Sequence, residues 1–208
     1  MKFSPQLLLV VFTAITGVAM AIATPAQAAD DQETIIKRNG SYSTSNGGSG
    51  TTSSVTTRSN GNVQRNGTWT NAAGGTGRFQ SQRTHSRATR SAIVSGSVTR
   101  PNGKTSTYQG TAVRTAPGVV SSNGTITQAN GKQDTLTATD TRLAPGTWLK
   151  QETITTADGK TIDRSVQTSV ANAQGTRTVT SSLPDGRKVT QSAQFSQSPT
   201  TTPAPPSN

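Results

Sequence analysis

The chain has no cysteine, a single histidine and few aromatic residues, and each shortage closes off a class of protein. Without cysteine there is no disulfide framework, thiolate metal site, thiol nucleophile or lipid-modified cysteine. Only 4% of the 208 residues are aromatic and 29% are hydrophobic, which argues against a large dense core. The same scarcity argues against an outer-membrane barrel, whose lipid-facing wall is an apolar band between aromatic girdles. Acids are scarce too: 9 Asp and Glu face 20 Lys and Arg, a formal charge of +11.

Much of the apolar content lies at the start, where residues 1–28 hold 18 apolar side chains. Lys2, the apolar run at 7–12, Pro25 and Ala26-Gln27-Ala28 have the layout of a secretory signal peptide cleaved after Ala28. Thr13, Thr16 and Gly17 interrupt the run, and Pro25 ends it near the minimum for a bilayer span of about 20 residues. A secreted or bacterial periplasmic protein with no transmembrane span after cleavage is therefore expected. Behind the signal peptide the composition predicts a flexible segment at 29–40, a β-hairpin repeat domain at 41–195 and a disordered Pro/Thr-rich tail at 196–208. That tail carries Pro199, Pro203, Pro205 and Pro206.

Periodicity argues that the middle of the chain is ordered. Asn102-Gly103, Asn130-Gly131 and Asp158-Gly159 recur at 28 residues, Asp185-Gly186 follows at 27, and stepping back by 28 reaches Gly75 and Gly47. Asn-Gly and Asp-Gly are strong hairpin signals and predict two-residue type I′ turns. A second set of turns falls half a period away, at Ser59-Asn60-Gly61, Ala116-Pro117-Gly118, Ala144-Pro145-Gly146 and Ala173-Gln174-Gly175. Between turns the residues alternate. Tyr108, Gly110 and Ala112 share one parity against Thr107, Gln109 and Thr111, and Leu136 and Ala138 lie between threonines from Thr135 to Thr141. Such alternation is a half-buried strand pattern. The expected fold is all-β, an antiparallel meander of up to about twelve strands made from repeated 28-residue hairpins. It could form an extended sheet, an open barrel, a sandwich or a solenoid. Trp69, Phe79, Tyr108, Trp148 and Phe195 are the expected core anchors.

Charge is unevenly placed. Residues 34–133 contain no acid and twelve cations, while the acids return only at Asp134, Asp140, Glu152, Asp158, Asp163 and Asp185. A field of one sign over half a molecule attracts polyanions. The densest cationic stretch predicts a polyanion-binding surface of Arg78, Arg83, Arg87, Arg90, Arg100, Lys104 and Arg114, since guanidinium groups hold anionic oxygens bidentately. The expected partner is an anionic polysaccharide, lipopolysaccharide or other surface polyanion; nucleic acid is disfavoured because no stacking aromatics cluster there.

Catalysis is not expected. His85 has no acid within 48 residues, no Gly-x-Ser-x-Gly elbow occurs, no metal-ligand spacing appears, and no cofactor motif is present. Asp158 and Asp185 read as turn residues, and Asp134, Asp140 and Asp163 as exposed strand positions. The Thr-x-Thr pairs resemble the ice-binding faces of some antifreeze proteins, and the Thr/Gln/Asn-rich hairpin is similar in composition to bacterial extracellular fibre subunits. Lys and Arg interrupt the threonine rows, which weighs against an ice face. The functional expectation is a secreted, non-enzymatic β-repeat protein of the cell envelope or extracellular matrix, binding polyanions through its basic N-terminal half. A self-assembling fibre or matrix subunit is the alternative, with an ice-binding protein or an unrecognised hydrolase more distant.

Overall fold

The computed structural model describes residues 33–86 and 88–202; residues 1–32, with the expected signal peptide, Arg87 and residues 203–208 lie outside the described residues. Twelve strands follow one another: β1 (Glu33–Thr44), β2 (Ser49–Ser59), β3 (Asn62–Asn71), β4 (Thr76–Ser86), β5 (Ser91–Thr99), β6 (Thr105–Ala116), β7 (Val119–Thr127), β8 (Gln133–Ala144), β9 (Thr147–Thr155), β10 (Thr161–Ala171), β11 (Gln174–Ser182) and β12 (Lys188–Thr202). Each pairs antiparallel with its neighbours in sequence, and β1 pairs with β12 from Glu33↔Thr202 to Thr44↔Gln191, closing a barrel. The all-β meander is as expected, and the barrel is the arrangement it takes.

Closure corrects two boundaries. Residues 33–40 and 196–202, expected to be mobile ends, form the seam, because each supplies the other's missing main-chain partner. Pro199 is tolerated there because β11 begins at Gln174, opposite Ser196, so the last part of β12 has β1 as its single neighbour. The hairpins are accordingly staves of one barrel rather than free-standing repeat units.

The turns fall into two families, one at each rim. The lower rim carries the periodic Gly turns. Arg100 N donates to Lys104 O at 2.9 Å and Gly103 N to Arg100 O at 2.9 Å, and only Gly103 of this loop has positive φ, at 77°. This is a type I turn followed by a left-handed glycine, a three-residue loop instead of the predicted two-residue I′ turn. The I′ pattern occurs at the upper rim, where Asn60 (φ 49°) and Gly61 (φ 74°) join β2 to β3. Asn172 (φ 48°) and Ala173 (φ 63°) repeat it between β10 and β11, one residue before the expected Ala173-Gln174-Gly175 turn, and Pro117-Gly118 and Pro145-Gly146 make further tight connections at that rim, each beside a bulge.

Strand parity sorts the side chains into lumen and wall. The lower half of the lumen is filled by Tyr42, Trp69, Phe79, Val98, Tyr108, Ile126, Leu136, Ile154, Ile162, Leu183 and Val189, drawn from nearly every strand and all buried. A passage wide enough for water would leave this lining accessible, so the barrel is blind at its lower end. Inward glycines make room for the rings: a Cβ on Gly67 would overlap the Phe79 ring, on Gly77 the Trp69 indole, and on Gly175 the Phe195 ring. Ring-over-glycine packing restores the contact area that a strand glycine lacks. Trp69, Phe79 and Tyr108 are buried as expected, while Trp148 and Phe195 are half-buried.

The outer wall is hydroxyl and amide. Along β6 it presents Thr105, Thr107, Gln109 and Thr111, and along β8 Gln133, Thr135, Thr137 and Thr139. Neighbouring strands tie hydroxyls across it, Thr99 to Thr105 at 2.9 Å and Thr70 to Thr76 at 3.1 Å. The polar parity of each strand therefore faces out and the apolar parity faces in, the reverse of a wall immersed in lipid.

Candidate functional site: a cationic lumen

Above the apolar layer the lumen is lined with charge. Inward parity brings Arg38 of β1, Arg58 of β2, Arg65 of β3, Arg83 of β4, Lys150 of β9, Arg164 of β10 and Arg177 of β11 into the interior. Asp140 and Glu152 are the acids facing them between the rims among the described residues.

The two sides of this chamber differ. On β8 to β10 the charges are compensated: Lys150 Nζ lies 2.8 Å from Glu152 Oε1, and Arg164 Nη1 lies 3.2 Å from Glu152 Oε2. Register explains the pairing, since Arg164 stands directly opposite Glu152 and Lys150 opposite Asp140. Burial alone would raise the Glu152 pKa, but Lys150 and Arg164 outweigh it and hold the carboxyl below its ordinary value. Asp140 is pushed up to about 6, chiefly by burial and secondarily by Glu152, against the pull of Lys150 and Arg83. Both of its carboxylate oxygens lack a protein hydrogen bond.

On β12 and β1 to β3 the cations have no acid facing them among the described residues, and Arg177 of β11 feels Glu152 and Asp140 across the lumen without an ion pair of its own. Arg38 Nε donates to Gln197 Oε1 at 3.2 Å and its guanidinium lies 5.5 Å from the Phe195 ring centroid. Arg65 Nη2 donates to Ser54 Oγ at 3.3 Å and its guanidinium lies 5.0 Å from the Phe79 centroid. The Nε atoms of Arg58, Arg65 and Arg177 have no hydrogen-bond partner. Burial, and then the Arg38 and Arg177 charges, push Arg65 down to about 9; burial, and then Arg164, push Arg177 to about 10. Both stay protonated near neutrality. Although the barrel encloses them, Arg38, Arg58, Arg65 and Arg177 keep accessible surface, as do Phe195 and Gln197. By parity all six face the lumen.

The sequence-predicted cations do not assemble as one surface. Arg83 is in the lumen, Arg78 points outward from β4, Arg90 sits in the upper-rim turn, Arg100 and Lys104 flank a lower-rim turn, and Arg114 lies near the upper rim. Arg38, Arg58 and Arg65, part of the acid-free block but not singled out, are in the chamber, together with Lys150, Arg164 and Arg177 from the second half. Their signal was parity: Arg164 lies between Ile162 and Val166 on the apolar face of its strand. Asp134 and Asp140, expected to be exposed, are 0% and 5% accessible. Asp134 braces the lower rim by accepting from Gln128 Nε2 at 2.7 Å and Ala157 N at 2.9 Å, whereas Asp140 belongs to the chamber.

No protein-family model matches the chain, and no curated protein matches it. Among solved structures it is similar to a KdgM porin, with a TM-score of 0.57 and 9% identity over 79% of this chain and 97% of that one. It is equally similar to a KdgM porin in complex with disordered oligogalacturonate, with a TM-score of 0.57 and 8% identity over the same shares. At this identity the likeness establishes the fold.

The likeness corrects the functional expectation. A secreted or periplasmic matrix protein made of hairpin repeats, binding polyanions on a basic N-terminal half, does not fit a chain closed into porin architecture. The fibre alternative fails with it, because stacking needs free sheet edges and the β1–β12 seam removes them. The cations gather in the lumen from both halves of the chain. The expectation of a non-enzymatic protein is in keeping with neighbours that are porins.

Proposed function

We propose that the protein is a porin-fold barrel whose upper chamber binds an anionic, carboxylate-bearing oligosaccharide. The observation that carries this reading is the arc of Arg38, Arg58, Arg65 and Arg177, which share the lumen-facing parity, are partly accessible and have no ion-pair partner among the described residues. A buried cation without a counter-charge is costly, and an arriving carboxylate would satisfy the unpartnered guanidinium N–H groups bidentately. Phe195, half-buried beside Arg38, offers an apolar face on which a sugar ring can lie. The oligogalacturonate in the complex of the structural neighbour has this chemistry.

Calorimetric titration with oligogalacturonate and with a neutral oligosaccharide of equal length tests the proposal. Binding of the acidic sugar alone, weakened by salt and lost in an Arg65→Gln/Arg177→Gln variant, is expected. Equal binding of both sugars, or none of either, overturns it. A second reading, a conducting channel, is favoured by the porin fold but opposed by the filled lower layer. Planar-bilayer recording is expected to show no steady conductance, and stepwise openings would show that the layer opens.

A further inference from the structure

The two rims are unlike, and the difference lies in where the outer wall departs from its hydroxyl composition. Among the described residues the exposed large hydrophobic side chains are Val55, Ile93, Val113 and Leu143, at 39, 63, 42 and 55% accessibility, and all four are at the upper rim. Outward-facing Val119 and Leu149, half-buried, join them.

Register makes these residues a band. Ile93 stands opposite Thr111, two residues from Val113; Val113 stands opposite Ser121, two from Val119; and Thr141, opposite both Val119 and Leu149, is two from Leu143. Diagonal neighbours on one sheet face are within side-chain reach, so the band runs unbroken across β5 to β9. On the other side of the barrel, Ile35 and Val55 form a second diagonal pair, through Ile35↔Thr57 and Lys37↔Val55.

Depth identifies the occupant, and the rim's cations suit an acidic one. Every member lies within about four residues of an upper-rim turn, about 13 Å along a strand and about 10 Å in height once a barrel strand's tilt is allowed for. A spanning wall needs an apolar band about 25 Å tall, whereas interfacial anchors immerse by about 5–10 Å. Among the described residues this rim carries Lys37, Arg58, Arg90, Arg114 and Arg142 with Glu33 as its acid; the lower rim carries Arg100, Lys104, Lys132, Lys160, Arg187 and Lys188 with Asp158 and Asp185, a comparable excess of cations, so the apolar band is what sets the upper rim apart.

We infer that the barrel docks rim-first on an anionic lipid surface, its β5–β9 band immersed at the headgroup boundary and its polar wall outside the hydrocarbon. Apolar burial supplies the adhesion and the rim cations supply attraction to acidic headgroups. The blind lower end then points away from the membrane, and Arg58 and Arg142 come to headgroup level.

Flotation of the purified protein with phosphatidylcholine vesicles containing phosphatidylglycerol tests this, beside an Ile93→Ser/Val113→Ser/Leu143→Ser variant. These side chains are exposed, so the variant should keep the wild-type circular dichroism and the wild-type response to oligogalacturonate. Wild-type protein should float with the acidic vesicles and less with phosphatidylcholine alone. The variant should bind on the order of 100-fold more weakly, about fivefold per side chain removed from the interface. Wild type that stays behind at low salt, or a folded variant that binds equally well, overturns the inference. A wild-type dimer in solution that the variant abolishes also overturns it, by assigning the band to a second copy of the chain.

Discussion

Replacing Arg65 by Met should make the empty barrel more stable and the occupied one less so. Burial and the neighbouring Arg38 and Arg177 charges lower the Arg65 pKa from 12.5 to about 9. At about 1.4 kcal/mol per pH unit, the folded barrel disfavours this charge by roughly 5 kcal/mol. Two contacts offset that cost, the Phe79 ring at 5.0 Å and the Ser54 hydroxyl at 3.3 Å, each worth about 1 kcal/mol. Water in the lumen and local relaxation reduce the remainder, so a gain of about 2 kcal/mol is expected, within the range of about 1–4 seen when buried charges give way to apolar side chains. Methionine suits the site because its unbranched chain can follow the path of the arginine stem. In urea unfolding, with a slope of about 2 kcal/mol per molar, the midpoint should rise by about 1 M. Adding oligogalacturonate at about 100 times its dissociation constant should stabilise wild type by about 2.7 kcal/mol and the variant far less. A variant about 2 kcal/mol less stable than wild type, or equally stabilised by the sugar, would refute the reasoning.

Asp140 gives a pH dependence of defined sign. Its folded pKa of about 6 lies above its ordinary value of 3.8, so the folded barrel holds this proton more tightly; the stability it contributes is fully present below about pH 4 and is lost as pH rises through 6. Subtracting the Asp140→Asn unfolding curve should expose a loss of about 3 kcal/mol between pH 3 and 7, and a flat difference would exclude the shift. Oligogalacturonate should also bind more tightly at pH 5 than at pH 7, since neutral Asp140 leaves the chamber more positive, and the Asn variant should flatten this trend in calorimetry. Gly67→Ala should cost about 2 kcal/mol or more in thermal unfolding, because its Cβ would meet the Phe79 ring and the Ser53 carbonyl. A Cβ on Gly74 meets nothing, so Gly74→Ala should cost about 1 kcal/mol through its positive φ alone.

Strand number and direction were legible in the sequence because they rest on local chemistry, namely turn glycines at a fixed interval and alternation between them. Closure was not legible, because nothing in residues 33–40 or 196–202 advertises the partner; the seam is a pairing across almost the whole chain, made by main-chain groups. Turn type was misread at the lower rim because Asn-Gly suits both loop families, and the position of Gly103 after a type I turn is fixed by the strand register. The chamber was partly legible. The acid-free block pointed to anions, but density along the sequence favoured Arg78 to Arg90, whereas convergence in a barrel depends on parity. Arg78 and Arg83 differ in parity and so lie on opposite faces of β4. Arg38 and Arg177, far apart in sequence, flank the seam strand β12 and repel one another across it.

Parity also accounts for a low apolar content in a barrel with a packed interior. A lipid-embedded barrel needs apolar residues on the wall and can fill its lumen with water, while this chain sends its apolar residues inward and its threonines and glutamines out. The inward glycines let each ring cover a neighbouring strand, so few aromatics suffice for the lower layer. Above that layer the large inward side chains include seven cations and two acids, a set that repels itself unless an anion joins it. The imbalance follows from the absence of acids in residues 34–133: apart from the outward-facing Glu33 that starts β1, β1 to β4 lie within that block, so their lumen-facing guanidiniums can find a carboxylate only across the barrel or on a ligand. Introducing Asp or Glu at lumen-facing Ser54 or Thr56, both buried beside Arg65 and Arg38 by register, should therefore mimic the ligand. Ser54→Asp should raise stability and abolish oligogalacturonate binding together, and a variant that gained stability while binding unchanged would separate the arginine arc from the ligand.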